Sequence, residues 1–529
     1  MKIRARKLAA LMMASGLIFS LAACGGSESG TEKNTETASS GTQKDAEDKE
    51  TSEKEEESKG ETSEEVKKLV MTFPTWTGAP ADTQKVQDAV NEITREKLGI
   101  EVEFQITDFG SYNQSVTLAL SGGEQVDILA CTGFAYSTGV QQGYFMDLEE
   151  DDLLKNYGQG IIDTMGMEMI DACRYGGVLY GLPNNRDIAA GHGCLVVATE
   201  YLDGIGYEVD GDEEIHKITL DEMKELLAEL HEKYPDKETF RPTAGSSSQF
   251  MNYDPLGGNA FGVLLDEGQN TDVVDLYESD TYMDYCKMIY EFNQAGYIGK
   301  DAATDSTAVG DLVKAGRLIS YPTGGKPGIK AQESGLCGRD VTVFQTGNDY
   351  ISSTSVSAYP WCIPISTADA EAAMTLLNEF YINADLANLL GWGIEGEHYV
   401  VQENGQINYP EGLDASTSGW NHSMGWMMPN QFLTYVWEGD DPDVWKKMQE
   451  FNDNAVKSLA SGFSFDSTNV SNEMTAVANV YSEYSVSVEF GFLNPEEAVP
   501  EMVEKMKNAG LEKIIEEKTK QFEEWSETK

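Results

Sequence analysis

Between Lys68 and about Pro183 strand and helix signals alternate, and this order constrains the fold more than any other feature of the chain. Leu69–Phe73 is a short apolar run with strand character. Asp82 to Leu98 places Val86, Val90 and Ile93 on one helical face and stops at Gly99. Glu101–Ile106 alternates polar and apolar residues as a strand does, Ser111–Leu120 reads as a second helix ended by Gly122-Gly123, and Val126–Cys131 is a third strand. A β-α-β-α-β order implies parallel strands with covering helices. Short apolar strands between helices fit a sheet covered on both faces. In open sheets of this kind the crevice lies beyond the carboxyl ends of the strands. Those ends carry Pro74-Thr75-Trp76, Asp108 to Tyr112, and Thr132-Gly133-Phe134. Trp76 sits in a Pro/Gly/Ala loop with no local helix or strand face to bury it, so it either faces the crevice or packs from below the loop.

The N-terminus reads as a secretory signal. Lys2, Arg4, Arg6 and Lys7 precede an apolar run from Leu8 to Ala23, shorter than the roughly 20 residues a spanning helix needs. Leu21-Ala22-Ala23-Cys24, followed by two glycines, looks like the lipobox of bacterial lipoproteins. That resemblance implies a signal peptide at 1–23 and a lipid anchor on Cys24. Residues 24–66 are Gly, Ser, Thr, Lys and Glu with almost nothing apolar. Such a segment cannot bury enough surface to offset its ordering entropy and reads as a disordered acidic tether.

The remainder is long enough for two or three domain-sized units. With 90 acidic against 38 basic residues the net charge is −52. Nucleic acid and an anionic membrane surface are then poor partners, because both require a Lys/Arg face. Six cysteines follow Cys24, at 131, 173, 194, 286, 337 and 362. They are widely spaced, and several lie in apolar runs where a free thiol behaves as a small hydrophobe. No Gly-x-Ser-x-Gly elbow, His-Glu-x-x-His or Walker loop occurs, and the five histidines lack metal-ligand spacing. No metal and no cofactor are expected.

Further along, Tyr175-Gly-Gly-Val-Leu-Tyr-Gly-Leu-Pro183 leads into Asn184, Asn185, Arg186 and Asp187. Thr219 to Leu230 opens with a capping box. Gly316–Tyr321 and Trp361–Ile365 are strand-like, Asp369–Tyr381 is helical, and Glu496–Trp525 is helical with a break at Gly510. Four features resemble the family 1 extracellular solute-binding proteins that feed carbohydrate ABC importers. They are the lipobox with its acidic tether, Ser121-Gly-Gly-Glu-Gln-Val-Asp-Ile128, the Tyr175–Pro183 run, and the C-terminal third. In that third the resemblance rests on Ile365-Ser-Thr367, Gly393-Ile-Glu-Gly-Glu-His-Tyr399 and Ala509–Lys518.

The resemblance implies an α/β, two-lobe, periplasmic-binding-protein-like (type II) fold, with a hinge crossed three times and a helical C-terminal extension. Crossings are expected near 184–190, 300–316 and 359–364. Residues 67–186 plus 305–362 would form the N-terminal lobe, and 187–304 plus 363–529 the C-terminal lobe. The resemblance also implies no catalysis, a monomer, and a small ligand passed to ABC permease subunits. A sugar stacks its C–H face on aromatic rings and needs paired hydrogen bonds for its hydroxyls. The residues that fit are Trp76, Tyr112, Asn185, Arg186, Trp361, Trp392, Glu395 and Trp420. Each has a structural alternative. The Trp392/Trp420/Trp426 group reads equally as a packing knot, Glu395 and His398 as turn residues, and Arg186 as a partner of Asp187. A surface glycoside hydrolase, or the same fold holding a peptide or amino acid, are the competing functions.

Overall fold

The computed structural model of the chain describes residues 66–527, apart from 210, 212 and 244 and the side chains of 133 and 134. The expected signal peptide at 1–23, the lipidation site Cys24 and the tether up to residue 65 lie outside the described residues. No helix among the described residues is long and apolar enough to cross a membrane.

The first lobe begins with strand β1 (Lys67–Thr75), helix α1 (Thr83–Leu98), β2 (Ile100–Asp108), α2 (Phe109–Gly122) and β3 (Ile128–Ala130). Strand β1 pairs in parallel with both β2 and β3. Gly99 adopts φ 68°, which lets α1 end and β2 start within one residue. Buried Asn91 of α1 fastens the helix to β2, donating to the Val102 carbonyl at 3.0 Å and accepting from its N–H at 2.7 Å. Asp127 explains the turn into β3. Its buried carboxylate accepts from the Val70 N–H of β1 and from Thr367 and Ala368 far along the chain.

The chain then enters a second sheet through β4 (Ala190–Ala198). Helix α3 (Leu220–Lys233), with the capping box of Thr219 and Glu222 in place, and strand β5 (Glu238–Phe240) follow. Helix α4 (Asp280–Gln294) and strands β6 (Leu318–Gly325), β7 (Val341–Gln345) and β8 (Asp349–Ile351) come next. The first sheet gains an antiparallel edge strand, β9 (Trp361–Cys362), and is covered by α5 (Ala370–Ile382) and α6 (Ala384–Trp392). Strand β10 (Val456–Lys457) leads to the C-terminal helices α7 (Ser471–Glu489), α8 (Pro495–Ala509) and α9 (Leu511–Ser526). The first sheet runs β9-β3-β1-β2. The second runs β10-β8-β4-β6-β5, with β7 also pairing with β4.

Each sheet has its own hydrophobic core, and the cores redraw the expected lobe boundaries. Residues 305–351 were expected in the first lobe. Instead β6 and β7 flank β4 antiparallel, and Leu318, Ile319, Val343 and Phe344 lie in the second core. Residues 363–455 were expected in the second lobe. Instead Ala373, Leu377, Phe380 and Leu386 pack with Val86 and Ile161 in the first core. The apolar faces were legible, but a buried face does not say which body buries it. The C-terminal helices belong to the second core, through Val477, Met502, Met506, Ile514 and Phe522.

The chain therefore passes between the cores three times, near 189–194, 344–351 and 455–460. These passages are neighbours. Ala190 and Gly191 pair antiparallel with Tyr350 and Asp349, and Tyr350 and Ile351 pair in parallel with Val456 and Lys457. The hinge is thus a narrow hydrogen-bonded strip of three strands. The six cysteines after Cys24 are all buried and free.

Candidate functional site

The carboxyl ends of β1 and β2 and the approach to β9 carry a row of aromatic rings. Trp76, 53% exposed, lies 5.0 Å from Phe109 and 6.3 Å from Trp426, ring centre to ring centre. Trp426 meets Tyr359 edge-on at 4.7 Å, and the Arg186 guanidinium lies 5.3 Å from the centre of the Tyr359 ring. The row thus leads from an open tryptophan to a cation at the first hinge passage.

Arg186 is held from its own lobe. It donates to the Ser355 carbonyl at 3.0 Å and to the Asp187 carbonyl, and it lies 3.7 Å from the Asp187 carboxylate. The other Asp187 oxygen accepts from Lys326 of the second lobe at 2.8 Å. One carboxylate therefore links the lobes across a cavity of about 410 Å³, lined by Arg186, Asp187, Thr323, Gly324, Lys326 and Ser355. Burial lowers the Arg186 pKa, and the Asp187 charge opposes that shift. An arginine stays charged under such pressure.

Three buried polar atoms in this region have no hydrogen-bond partner: Arg186 Nε on a residue that lines the cavity, and Asn184 Oδ1 and Gln249 Oε1 on residues that do not. Asn184 uses its Nδ2 on the Trp426 carbonyl, and Gln249 stands against Gly324 of the cavity wall. Each unmet group costs about 1–3 kcal/mol. The set contains one donor and two acceptors. A hydroxyl, which both donates and accepts, is the simplest group that can satisfy both kinds.

A second cavity, of about 630 Å³, opens between Asp171, Arg174 and Tyr175 of the first lobe and Phe463, Asp466 and Trp525 of the second. Its arginine is already engaged by Glu149 and Asp171. Its Asp466 accepts from Gln141 at 2.9 Å, and the Gly462 backbone abuts Ala172. The Arg186 cavity differs in having an unpaired buried donor, Arg186 Nε, on a lining residue where the row of rings ends.

The structure sorts the residues named from sequence. Trp76 and Arg186 meet at this site through Trp426 and Tyr359. Tyr112, Trp361 and Trp420 do not line it; they are core residues, 1%, 0% and 2% exposed. The Tyr112 hydroxyl donates to the Ala130 and Thr72 carbonyls, tying β3 to β1. The indole N–H of Trp361 goes to the Met427 carbonyl and that of Trp420 to the Leu390 carbonyl. Asn185 is a positioning residue. It bonds Asn430 at 3.1 Å and exchanges backbone hydrogen bonds with Pro429 and Gln431, which fixes the segment that carries Trp426.

Trp392 lies in a separate aromatic group with Trp437. Glu395 is exposed on a turn fixed by His398, whose Nδ1 accepts from the Ile394 N–H at 2.9 Å and whose Nε2 meets Asp82 at 3.2 Å. Asp82, Glu397 and His398 are the one group of candidate metal ligands close enough together among the described residues. Lys85 bridges Asp82 and Glu397 there, at 3.3 and 3.1 Å, so an ammonium already neutralises them. The residues not singled out from sequence are Phe109, Tyr359, Lys326 and Gln249, whereas Trp426 groups in sequence with Trp392 and Trp420, as a cleft ring or part of a packing knot. Tyr359 and Lys326 each sit at the end of a strand signal, before Pro360 and after Gly324-Gly325. Gln249 carries no sequence signal.

The family of bacterial extracellular solute-binding proteins matches residues 78–384, and a domain of unknown function (DUF3502) matches 459–527. A carbohydrate ABC transporter substrate-binding protein of Streptococcus pneumoniae serotype 4 is 27% identical over 454 residues, covering 85% of this chain and 89% of that protein. The crystal structure of the N-glycan transport solute-binding protein NgtS from Streptococcus pneumoniae aligns with a TM-score of 0.75. It is 24% identical and covers 87% of this chain and 99% of that one. The same protein in complex with Man5GlcNAc aligns at 0.63, again at 24% identity, covering 88% and 99%. Two cores, a three-strand hinge and a family match over more than half of its length place this chain in the bacterial extracellular solute-binding protein family.

Proposed function

We propose that the protein is the substrate-binding component of an ABC importer and holds a carbohydrate between its two lobes. The observation that carries this reading is the conjunction at Arg186. A row of rings offers stacking faces to sugar C–H groups, and it ends at Arg186, whose Nε is an unpaired donor beside the cavity. The family is one of binding proteins, so catalysis is no part of the function. The Streptococcus relatives named for carbohydrate transport and N-glycan transport support the same ligand class.

In this reading the open protein samples a closed state, and sugar stabilises that state by bonding both lobes at once. The closed form is what a pair of permease subunits receives. The lipobox-like Cys24 anchors the chain as a monomer on the outer face of the cell membrane, and the acidic tether lets the lobes reach the permease. Replacing Cys24 by Ala would release the protein from the membrane fraction.

The ligand assignment is tested by titrating the mature protein with neutral mono- and oligosaccharides, amino acids and short peptides. Heat release with a sugar, a smaller radius of gyration by X-ray scattering and a shift in tryptophan emission are the expected results. Binding of peptides or amino acids with no response to any sugar would overturn the carbohydrate reading. New reducing ends after incubation with an oligosaccharide would point to the hydrolase.

A further inference from the structure

Trp392 and its neighbours are not used by the Arg186 site, and they form a second arrangement of rings on the first lobe. Trp437 is the centre. It lies 4.4 Å from Tyr409 at 36° and 5.5 Å from Trp392 at 82°, ring centre to ring centre, making an open corner. All three rings stay partly exposed, whereas Trp361 and Trp420 in the same lobe are closed off completely. The indole N–H of Trp392 is already bonded to the Tyr435 carbonyl at 3.0 Å, so that ring has only carbon surface left to offer.

The corner is rigid without being core. Gln406, 8% exposed, gives its side-chain amide to the Trp437 and Asp440 carbonyls, both at 2.9 Å. Backbone hydrogen bonds from Ile407 to Val436 and from Glu438 to Ile407 lock the same segment. Such fixed rings lose little entropy when a ligand stacks on them. Beside them, Asn408 pairs with exposed Glu438, and Tyr435 is 37% exposed, so hydroxyl partners are at hand.

Beyond the rings the chain reaches the second lobe next to the cleft. On the second lobe, Glu214 accepts from the Gly328 and Lys330 N–H groups, both at 2.9 Å. Val444 then stands against Gly328, two residues beyond Lys326 of the cavity wall.

We infer that Trp392, Tyr409 and Trp437 form an outer ledge that stacks the distal units of a neutral oligosaccharide whose inner end is held at Arg186. This rests on the carbohydrate reading above and extends it to ligand length and charge. The charge follows from the surroundings. Glu395, Glu438 and Asp440 flank the ledge segment, and the chain carries −52 overall, so a uronate chain would be repelled at this end.

The test measures affinity for linear neutral oligosaccharides of increasing length, with a matching uronate series, in the wild type and in Tyr409→Ala, Trp437→Ala and Trp437→Phe. Wild-type affinity should rise with length in the neutral series only. In Tyr409→Ala and Trp437→Ala the gain from added units should fall by about tenfold, while affinity for the shortest bound sugar stays within twofold and Trp437→Phe retains most of the gain. A stacked ring contributes of this order. Unchanged length dependence in both alanine variants would overturn the ledge and leave the Arg186 reading intact. Absence of binding by any sugar to the wild type would overturn both. If Trp437→Ala fails to fold, Tyr409→Ala decides alone, since its ring lies at the rim of the corner.

Discussion

Gln249 buries a side-chain oxygen that nothing in the protein satisfies, beside the cavity wall at Gly324. Gln249→Leu removes that orphan acceptor. The unfolding temperature should hold or rise slightly, while sugar affinity falls roughly tenfold; calorimetry of folding and of binding reads the two effects separately. Asp127 is the opposite case, because every contact it makes is structural. It accepts from Val70, Gln125, Thr367 and Ala368, so Asp127→Ala should cost on the order of 3 kcal/mol or more in urea unfolding. Lys518 of α9 is wholly buried, with its ammonium on the carbonyls of Pro255, Asn259 and Gly262 at 3.0, 2.8 and 2.9 Å. Burial lowers its pKa from 10.5 to about 7. The unfolded chain therefore binds the extra proton between those values, and stability should rise as pH increases from about 7 to about 10.5. Lys518→Met should lose that slope and, at neutral pH, be less stable, because three carbonyls lose their donor. At this scale the sequence was only partly legible. Trp76 stood out because a loop has no face to hide it, and it stays exposed; Arg186, readable from sequence as a ligand contact or a partner of Asp187, lies mostly buried beside Asp187. Tyr112 and Trp361 were misread because a ring at a strand end looks the same in sequence whether it points into the sheet's core or out of its edge.

At the scale of elements, the three-strand strip at Ala190–Gly191, Asp349–Ile351 and Val456–Lys457 is where titration should register. His192 follows it, packed edge-on at 5.0 Å against Tyr350, and burial holds its pKa down from 6.5 to about 4. The folded protein keeps this imidazole neutral where the unfolded chain takes a proton. Stability should therefore fall as pH drops from about 6.5 towards 4. His192→Phe should remove that part of the acid sensitivity, as read from unfolding temperatures across the range. The opening β-α-β-α-β of the first lobe was legible because each strand and helix carries its own period and stop signal. The second and third hinge passages were not. Leu318–Tyr321 shows that it is a buried strand, but its partner in β4 lies more than a hundred residues earlier, and no local pattern encodes that pairing. The same holds for α5, whose apolar face fits either core equally well.

For the whole molecule, the charge of −52 and the pairing of Arg186 and Lys326 with Asp187 leave little net attraction for an anion at the site. Affinity for a neutral sugar should then change less than about twofold between low and high salt, because no long-range charge steers the encounter; titrations at two ionic strengths check this. A steep salt dependence would mean that the ligand is charged. The two-lobe class was legible from the resemblance, and the lobe boundaries were corrected only by the cores.

The braided route of the chain through both bodies has a consequence for its birth. Neither half is a contiguous stretch, so an emerging polypeptide cannot finish the first body until residue 455 has been made, nor the second until the last helices arrive. Completion of either core during translation is thereby postponed to the final stretch of synthesis. A machinery that must thread this polypeptide unfolded through a narrow pore would meet a chain whose topology forbids early closure.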